Sequence, residues 1–188
     1  MSGGWPGAAV RCLTTDVEGT RSLAGAVAPL CVPGDIVLLA GDLGAGKTAF
    51  AQGFGAALGV REPVTSPTFA LVRQYPCGDG PVRTLLHADV YRLDHLQEIV
   101  DLGLGQLVED GGVAVVEWGD MAEPVLGSGS LTVHIAAGPA GEGSAVAGGG
   151  SAGADEDVRS IAIAPIGTAW DGRWTHLVAA LEPWAAPR

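Results

Sequence analysis

One lysine, Lys47, occurs in the 188-residue chain; the other nine basic side chains are arginines. Lys47 stands in Gly41-Asp42-Leu43-Gly44-Ala45-Gly46-Lys47-Thr48, which fits the phosphate-binding pattern G-x-x-x-x-G-K-[ST] in full. Gly44 and Gly46 let the backbone turn with its N–H groups aimed inward, where side chains would block a phosphate. A compact ammonium reaches between two phosphates in a way that the planar guanidinium fork does not. The lysine would therefore bridge the β- and γ-phosphates of a nucleoside triphosphate, and the Thr48 hydroxyl would ligate Mg²⁺. With 30 glycines in the chain, chance matches to a glycine pattern are easier than usual, so the flanking residues have to decide.

They do so on both sides. Asp35-Ile36-Val37-Leu38-Leu39-Ala40 is a short apolar run introduced by Pro33-Gly34, the pattern of a buried strand. Thr48 to Leu58 places Phe50, Phe54, Ala57 and Leu58 at helical spacing, with Gly59 to end the helix. A helix starting near Lys47 directs its positive end at the same anion.

A magnesium ion needs an acidic neighbour, and two candidates stand out. Glu117 ends the apolar run Val113-Ala114-Val115-Val116, which places its carboxylate at the rim where ligands bind in open α/β sheets. Asp89 lies in Leu85-Leu86-His87-Ala88-Asp89-Val90-Tyr91-Arg92, where His87, Asp89 and Tyr91 alternate and share one strand face. Either acid could instead be a solvated strand end or a structural hydrogen-bonding group. Thr65-Ser66-Pro67-Thr68 offers three hydroxyls in a proline-stiffened loop. It reads equally as a switch-like loop near the γ-phosphate or as a plain loop with hydroxyl caps. Trp118 could lie against a nucleotide or belong to the core.

The remaining elements set these groups in an α/β frame. Val10 to Leu13 reads as a strand, and Thr14-Thr15-Asp16 caps a helix running toward Pro29. Phe69–Tyr75 and Val82–Tyr91, joined by Cys77-Gly78-Asp79-Gly80-Pro81, read as an antiparallel pair. His95 to Val100 is a short helical piece, followed by a loop around Gly103 and Gly105. The continuous apolar run at 113–116 fits a buried parallel strand. Leu131–Ile135 and Ser160–Ala164 are short strands, and a helix from about Trp170 to Leu181 closes the chain. Between those last strands, 138–157 is almost entirely Gly, Ala and Ser with a few acids. It is read as a flexible insert in a hairpin loop.

Composition narrows the function classes. The chain is long enough for one filled domain. It has no membrane-length apolar run, and its N-terminus is not a signal peptide. Three cysteines without metal-type spacing fit a reducing cytoplasm. A net charge of −11 argues against independent binding to nucleic acid. No asparagine is present, so the guanine-reading Asn-Lys-x-Asp pattern is excluded. From Leu93 to Val158 there is neither lysine nor arginine. A small-molecule kinase usually clamps its acceptor with cationic lid residues, so hydrolysis to water, or a cation supplied by a partner, fits better than phosphoryl transfer to a small acceptor.

Taken together, the octad, Ser66-Pro67-Thr68-Phe69, His87-Ala88-Asp89-Val90-Tyr91-Arg92 and Val116-Glu117-Trp118 resemble, in order, the bacterial TsaE family. That family is the ATPase component of tRNA threonylcarbamoyladenosine (t6A) synthesis, and the likeness covers most of residues 10–135. The resemblance implies a single-domain P-loop NTPase fold, with a mixed, mostly parallel sheet flanked by helices. It implies bound ATP or ADP with Mg²⁺, Thr48 and Glu117 as metal ligands, and Asp89 as a residue needed for hydrolysis. Asp16, Trp118, Asp120 and Arg159 are implied as further nucleotide contacts, beside Gly41 through Thr48 and the loop residues Ser66 and Thr68. It implies TsaD- and TsaB-type protein partners in the cytoplasm, with tRNA reached only through that complex and no membrane involved. The alternatives left by the residues alone are a small-molecule P-loop kinase and a nucleotide-dependent scaffold that does not require hydrolysis. The insert at 138–157 and the C-terminal Trp170, Trp174 and Trp184 belong to none of these motifs.

Overall fold

A computed structural model describes residues 9–67, 70–93, 95–138 and 157–187. Thr68 and residues 139–156, the bulk of the expected insert, lie outside them. The order of elements begins with strand β1 (Val10–Thr14), helix α1 (Val17–Val27), β2 (Ile36–Ala40) and α2 (Lys47–Ala57). The hairpin β3 (Val72–Pro76) and β4 (Thr84–Asp89) follows, then α3 (Leu96–Asp101), α4 (Leu104–Glu109) and β5 (Gly112–Glu117). The chain continues through α5 (Gly119–Leu126), β6 (Leu131–Ala137), β7 (Arg159–Pro165) and α6 (Trp174–Ala180).

All seven strands form one mixed sheet in the order β1-β7-β6-β2-β5-β4-β3. The central four, β6, β2, β5 and β4, are mutually parallel. β3, β7 and β1 are added at the margins by antiparallel pairing. The reason is visible in the sequence: β5 is buried at every position, and strands covered on both faces carry unbroken apolar runs. The expected antiparallel pair at β3–β4 and the β6–β7 hairpin are both present.

Two cores sandwich the sheet. One joins Val37, Leu39, Val113 and Val115 to Leu23 and Val27 of α1, to Phe50 and Phe54 of α2, and to Trp170, Leu177 and Leu181 near the C-terminus. The other joins Leu38, Leu86, Ala114 and Val116 to Ile99 of α3, Leu104 and Val108 of α4 and Ala122 of α5. The helices α1 and α2 approach very closely. A Cβ on Gly53 would overlap the Arg21 main chain. Phe50 and Phe54 are fully buried behind that contact, each worth about 1.5–3 kcal/mol of apolar burial.

Several expectations are refined. Of the strand predicted over 69–75, Phe69 lies outside the described residues, and the strand starts at Val72 after Leu71 has turned through a left-handed conformation with φ 60°. Tyr91 is not on the β4 strand, which ends at Asp89; it lies on the turn beyond. The expected loop around Gly103 and Gly105 is in fact the start of α4, with Gly103 as a left-handed N-cap. The C-terminal helix starts at Trp174 instead of Trp170, because 169–173 form turns. Helix α5 was not expected at all: it opens on a glycine and contains Pro124, both of which read as breakers.

The C-terminal tryptophans are structural. Trp170 is fully buried, and Trp174 and Trp184 pack against the same core. Arg173 lies over the Trp170 ring at 4.0 Å and forms a forked ion pair with the buried Asp35, with Nη2 2.9 Å from Oδ1. The ion pair ties the C-terminal segment to the turn that launches β2. The tail also reaches β1, where the Ala186 N–H donates to the Arg11 carbonyl at 2.8 Å. Among the described residues, no helix is long and apolar enough to cross a membrane.

Replacing Arg173 with Met leaves the Asp35 carboxylate buried without its cation, so the variant should lose about 2–3 kcal/mol in urea unfolding. A second outcome concerns pH. Burial pushes the Cys12 thiol up from 9.0 to about 11. Above pH 9 the unfolded chain loses that proton while the folded chain keeps it, so the unfolded state gains stability as pH rises from about 9 to about 11. The urea midpoint should fall over this window, and Cys12→Ala should flatten the fall.

Candidate active site

The loop between β2 and α2 begins where β2 ends, at the carboxyl edge of the parallel strands. Its last glycine, Gly46, is the N-cap of α2 with φ 114° and ψ 14°, and it offers no side-chain cap. A Cβ is strained at that φ, and the uncapped N–H groups of the first turn are left for another acceptor. The first turn of α1 lies close by: a Cβ on Gly46 would be 3.9 Å from Thr20 Cγ2. From the side, Arg159 Nε donates to the Ala45 carbonyl at 2.9 Å. This contact props the loop from β7.

Lys47 turns back into the loop. Its Nζ donates to the Gly41 carbonyl at 2.7 Å and the Asp42 carbonyl at 2.8 Å, and it sits 3.9 Å from the centre of the Trp118 ring. Burial holds the lysine below its ordinary pKa; the charges of Glu117, Asp89, Asp120 and Asp42 oppose that fall. The cation is thus desolvated and surrounded by acceptors, with no carboxylate among the described residues hydrogen-bonded directly to it.

The parallel register brings the acids to it. Glu117 at the end of β5 is paired with Leu39 of β2 on one side and with Asp89 of β4 on the other. Paired residues of neighbouring strands project to the same face, so Glu117 and Asp89 both face α2. The Thr48 hydroxyl donates to Glu117 Oε1 at 2.9 Å. His87 Nε2 lies 2.9 Å from the same oxygen. Asp89 is fixed at both oxygens: Ser66 Oγ donates to Oδ2 at 3.1 Å and the Tyr91 N–H to Oδ1 at 3.1 Å.

Apart from His87, these groups line one cleft of about 510 Å³, bounded by Leu43, Gly44, Gly46, Lys47, Thr48, Ala49, Ser66, Asp89, Tyr91, Arg92, Glu117 and Trp118. Of the two acids proposed for a metal, Glu117 is the one in contact with Thr48, and Asp89 is the one joined to the hydroxyl loop. Thr65 is turned aside, its hydroxyl accepting from Arg73 at 3.0 Å, and Thr68 lies outside the described residues. Asp16 serves as N-cap of α1, accepting from the Gly19 N–H at 2.6 Å. Asp120 sits in the first turn of α5, exposed to solvent. Neither Asp16, Asp120 nor Arg159 forms part of the cleft wall.

Sequence reasoning left three contributors without a role. His87 is fully buried and engages Glu117. Arg92 stands on the cleft wall as a second cation. Tyr91 packs on Trp118 with ring centres 4.5 Å apart. That packing depends on Trp118 adopting φ 62°, ψ 41°, a left-handed conformation that costs a bulky residue about 1–3 kcal/mol. The turn swings the indole back over Lys47.

The donor set suits a triphosphate with Mg²⁺. A glycine-built loop, an uncapped helix start and a buried ammonium match phosphate. A hydroxyl and a carboxylate offer the hard oxygens that Mg²⁺ takes together with phosphate oxygens. Among the described residues no group of three or more His, Cys, Asp or Glu is arranged to hold a metal by protein ligands alone.

Comparison with known proteins identifies the family to which the chain is similar. The family profile "Threonylcarbamoyl adenosine biosynthesis protein TsaE" matches residues 14–142. The tRNA threonylcarbamoyladenosine biosynthesis protein TsaE of Bacillus subtilis is 42% identical over 122 residues, 65% of this chain and 74% of the relative. Its counterpart in Treponema pallidum is 37% identical over 126 residues, 67% of this chain and 90% of the relative. That of Streptomyces coelicolor is 50% identical over 102 residues, 53% of this chain and 67% of the relative. A crystal structure of Bacillus subtilis YdiB superimposes with a TM-score of 0.68 at 30% identity, covering 96% of this chain and 98% of that one. Sequence and fold agree: the chain belongs to the TsaE family.

Proposed function

We propose that this protein binds ATP and, slowly and with Mg²⁺, hydrolyses it to ADP and phosphate as one component of the cytoplasmic machinery that makes threonylcarbamoyladenosine in tRNA. The reading includes TsaD- and TsaB-type partners, on which nucleotide turnover would act, with tRNA engaged only through them. The observation that carries it is the convergence of Lys47, the Thr48–Glu117 contact and the Ser66–Asp89 contact in one cleft at the end of the parallel strands. Membership of a family described by its role in threonylcarbamoyl adenosine biosynthesis supplies the pathway.

The residues divide the work as follows. Gly44, Gly46 and the start of α2 bind the phosphates through the main chain. Lys47 exchanges its two carbonyl partners for phosphate oxygens. Thr48 and Glu117 hold Mg²⁺, which when bound neutralises charge on the β- and γ-phosphates. Asp89, fixed by Ser66 and the Tyr91 N–H, orients the attacking water. The net charge of −11 suits docking on protein and leaves the RNA to partners.

Three variants test the reading. Lys47→Ala should abolish both ATP binding and phosphate release, whereas Glu117→Ala should keep nucleotide binding in EDTA and lose at least about tenfold in Mg²⁺-dependent turnover. Normal turnover in the Glu117 variant would remove that residue from the metal site. In reconstitution with TsaD- and TsaB-type proteins, Asp89→Asn should bind ATP and support one round of tRNA modification but not repeated rounds. Many rounds with this hydrolysis-dead variant would favour a scaffold, and stoichiometric phosphorylation of a small acceptor would favour a kinase.

A further inference from the structure

His87 occupies a place where an apolar side chain would be cheaper. It lies on β4 two residues before Asp89, paired in register with Val115 of β5, and its side chain is fully buried. Among the described residues its Nδ1 has no hydrogen-bond partner. Within them the imidazole is a buried polar group with one polar contact, Glu117. Because an ionised carboxylate only accepts hydrogen bonds, the proton of a neutral ring belongs on Nε2, leaving Nδ1 as the bare acceptor.

Among the described residues, the two hydrogen bonds to the Glu117 carboxylate both fall on Oε1, one from Thr48 and one from His87. Two donors from different elements fix the rotation of the carboxylate and leave Oε2 for a cation. Of these two donors, Thr48 is itself assigned to the metal, and its hydroxyl is tied to the loop that receives the nucleotide. His87 is held by the sheet. It is therefore the anchor that does not depend on what the loop binds.

Resting on the nucleotide reading above, we infer that His87 is a positioning residue: its Nε2–H presets the Glu117 carboxylate for Mg²⁺ accompanying a nucleoside triphosphate. Groups that orient a ligating side chain typically change metal affinity about 10–100-fold when removed. The effect belongs to the metal-dependent part of binding, because His87 forms no part of the cleft wall.

The test measures affinity for a non-hydrolysable ATP analogue by calorimetry, in Mg²⁺ and in EDTA, for the wild type, His87→Leu and His87→Gln. The Leu variant should lose about tenfold or more of the enhancement that Mg²⁺ confers, with its EDTA affinity within about twofold of wild type. The Gln variant, whose amide carries a donor near the position of Nε2, should recover most of the enhancement. An unchanged enhancement in the Leu variant, an equal loss in Mg²⁺ and EDTA, or no recovery by Gln would overturn the inference. Imidazole ¹⁵N spectra of the ligand-free wild type, which need no variant to fold, should place the His87 proton on Nε2; a proton on Nδ1 would also overturn it. A wild type that binds no analogue under either condition would overturn the nucleotide reading and this inference together, whereas analogue binding with a His87-independent Mg²⁺ effect would overturn this inference alone.

Discussion

The site is organised around one buried positive charge. Lys47 is only 5% exposed, and burial makes its ammonium costly enough to hold its pKa down. That cost is tolerable because two main-chain carbonyls, an indole face and the field of four acids compensate the charge. None of those acids is hydrogen-bonded to it, so the cation is stabilised without being neutralised by a direct ion pair. On the proposed reading, a triphosphate entering the loop would meet a charge already stripped of water. Exchanging carbonyl oxygens for phosphate oxygens would then strengthen the interaction in surroundings of low polarity.

The sheet supplies the rest. Four central strands run parallel, so their carboxyl ends come to one edge, and neighbouring positions in register face the same way. Asp89 and Glu117 are neighbours for that reason, though 28 residues separate them in sequence. The antiparallel strands at the margins do different work. β7 carries Arg159 to the back of the glycine loop between β2 and α2, and the β3–β4 hairpin supports the turn that brings Tyr91 to Trp118. Cleft and scaffold are thus continuous: the contacts that close the sheet also aim the groups that line the cleft.

Much of this was legible in the chain because the signals are local. The strand, glycine loop and helix around Lys47 are contiguous, Asp16 announces its helix by capping chemistry, and the apolar run ending in Glu117 fits a covered strand. What escaped sequence reasoning depends on distant residues or on backbone conformation. The His87–Glu117 contact follows from strand register, and the Arg159–Ala45 contact from the path of β7. Trp118 at φ 62° is a conformation that no residue preference would assign to tryptophan. Helices α4 and α5 were missed because glycines at their starts act here as left-handed caps and close-packing positions: Gly103 has φ 65°, and a Cβ on Gly119 would be 2.6 Å from Leu38 Cβ. The C-terminal tryptophans carried no motif; their burial follows from the Arg173–Asp35 contact and the core beneath it.

The central claim is that the loop from Gly41 to Thr48 grips a triphosphate with Lys47 as its cation. A crystal structure of the protein soaked with an ATP analogue and Mg²⁺ tests it most directly. The account predicts phosphate density inside the loop, Lys47 Nζ moved from the Gly41 and Asp42 carbonyls to phosphate oxygens, and a metal between Thr48, Glu117 and the analogue. At saturating ligand, an empty loop with Lys47 still on its two carbonyls would contradict it.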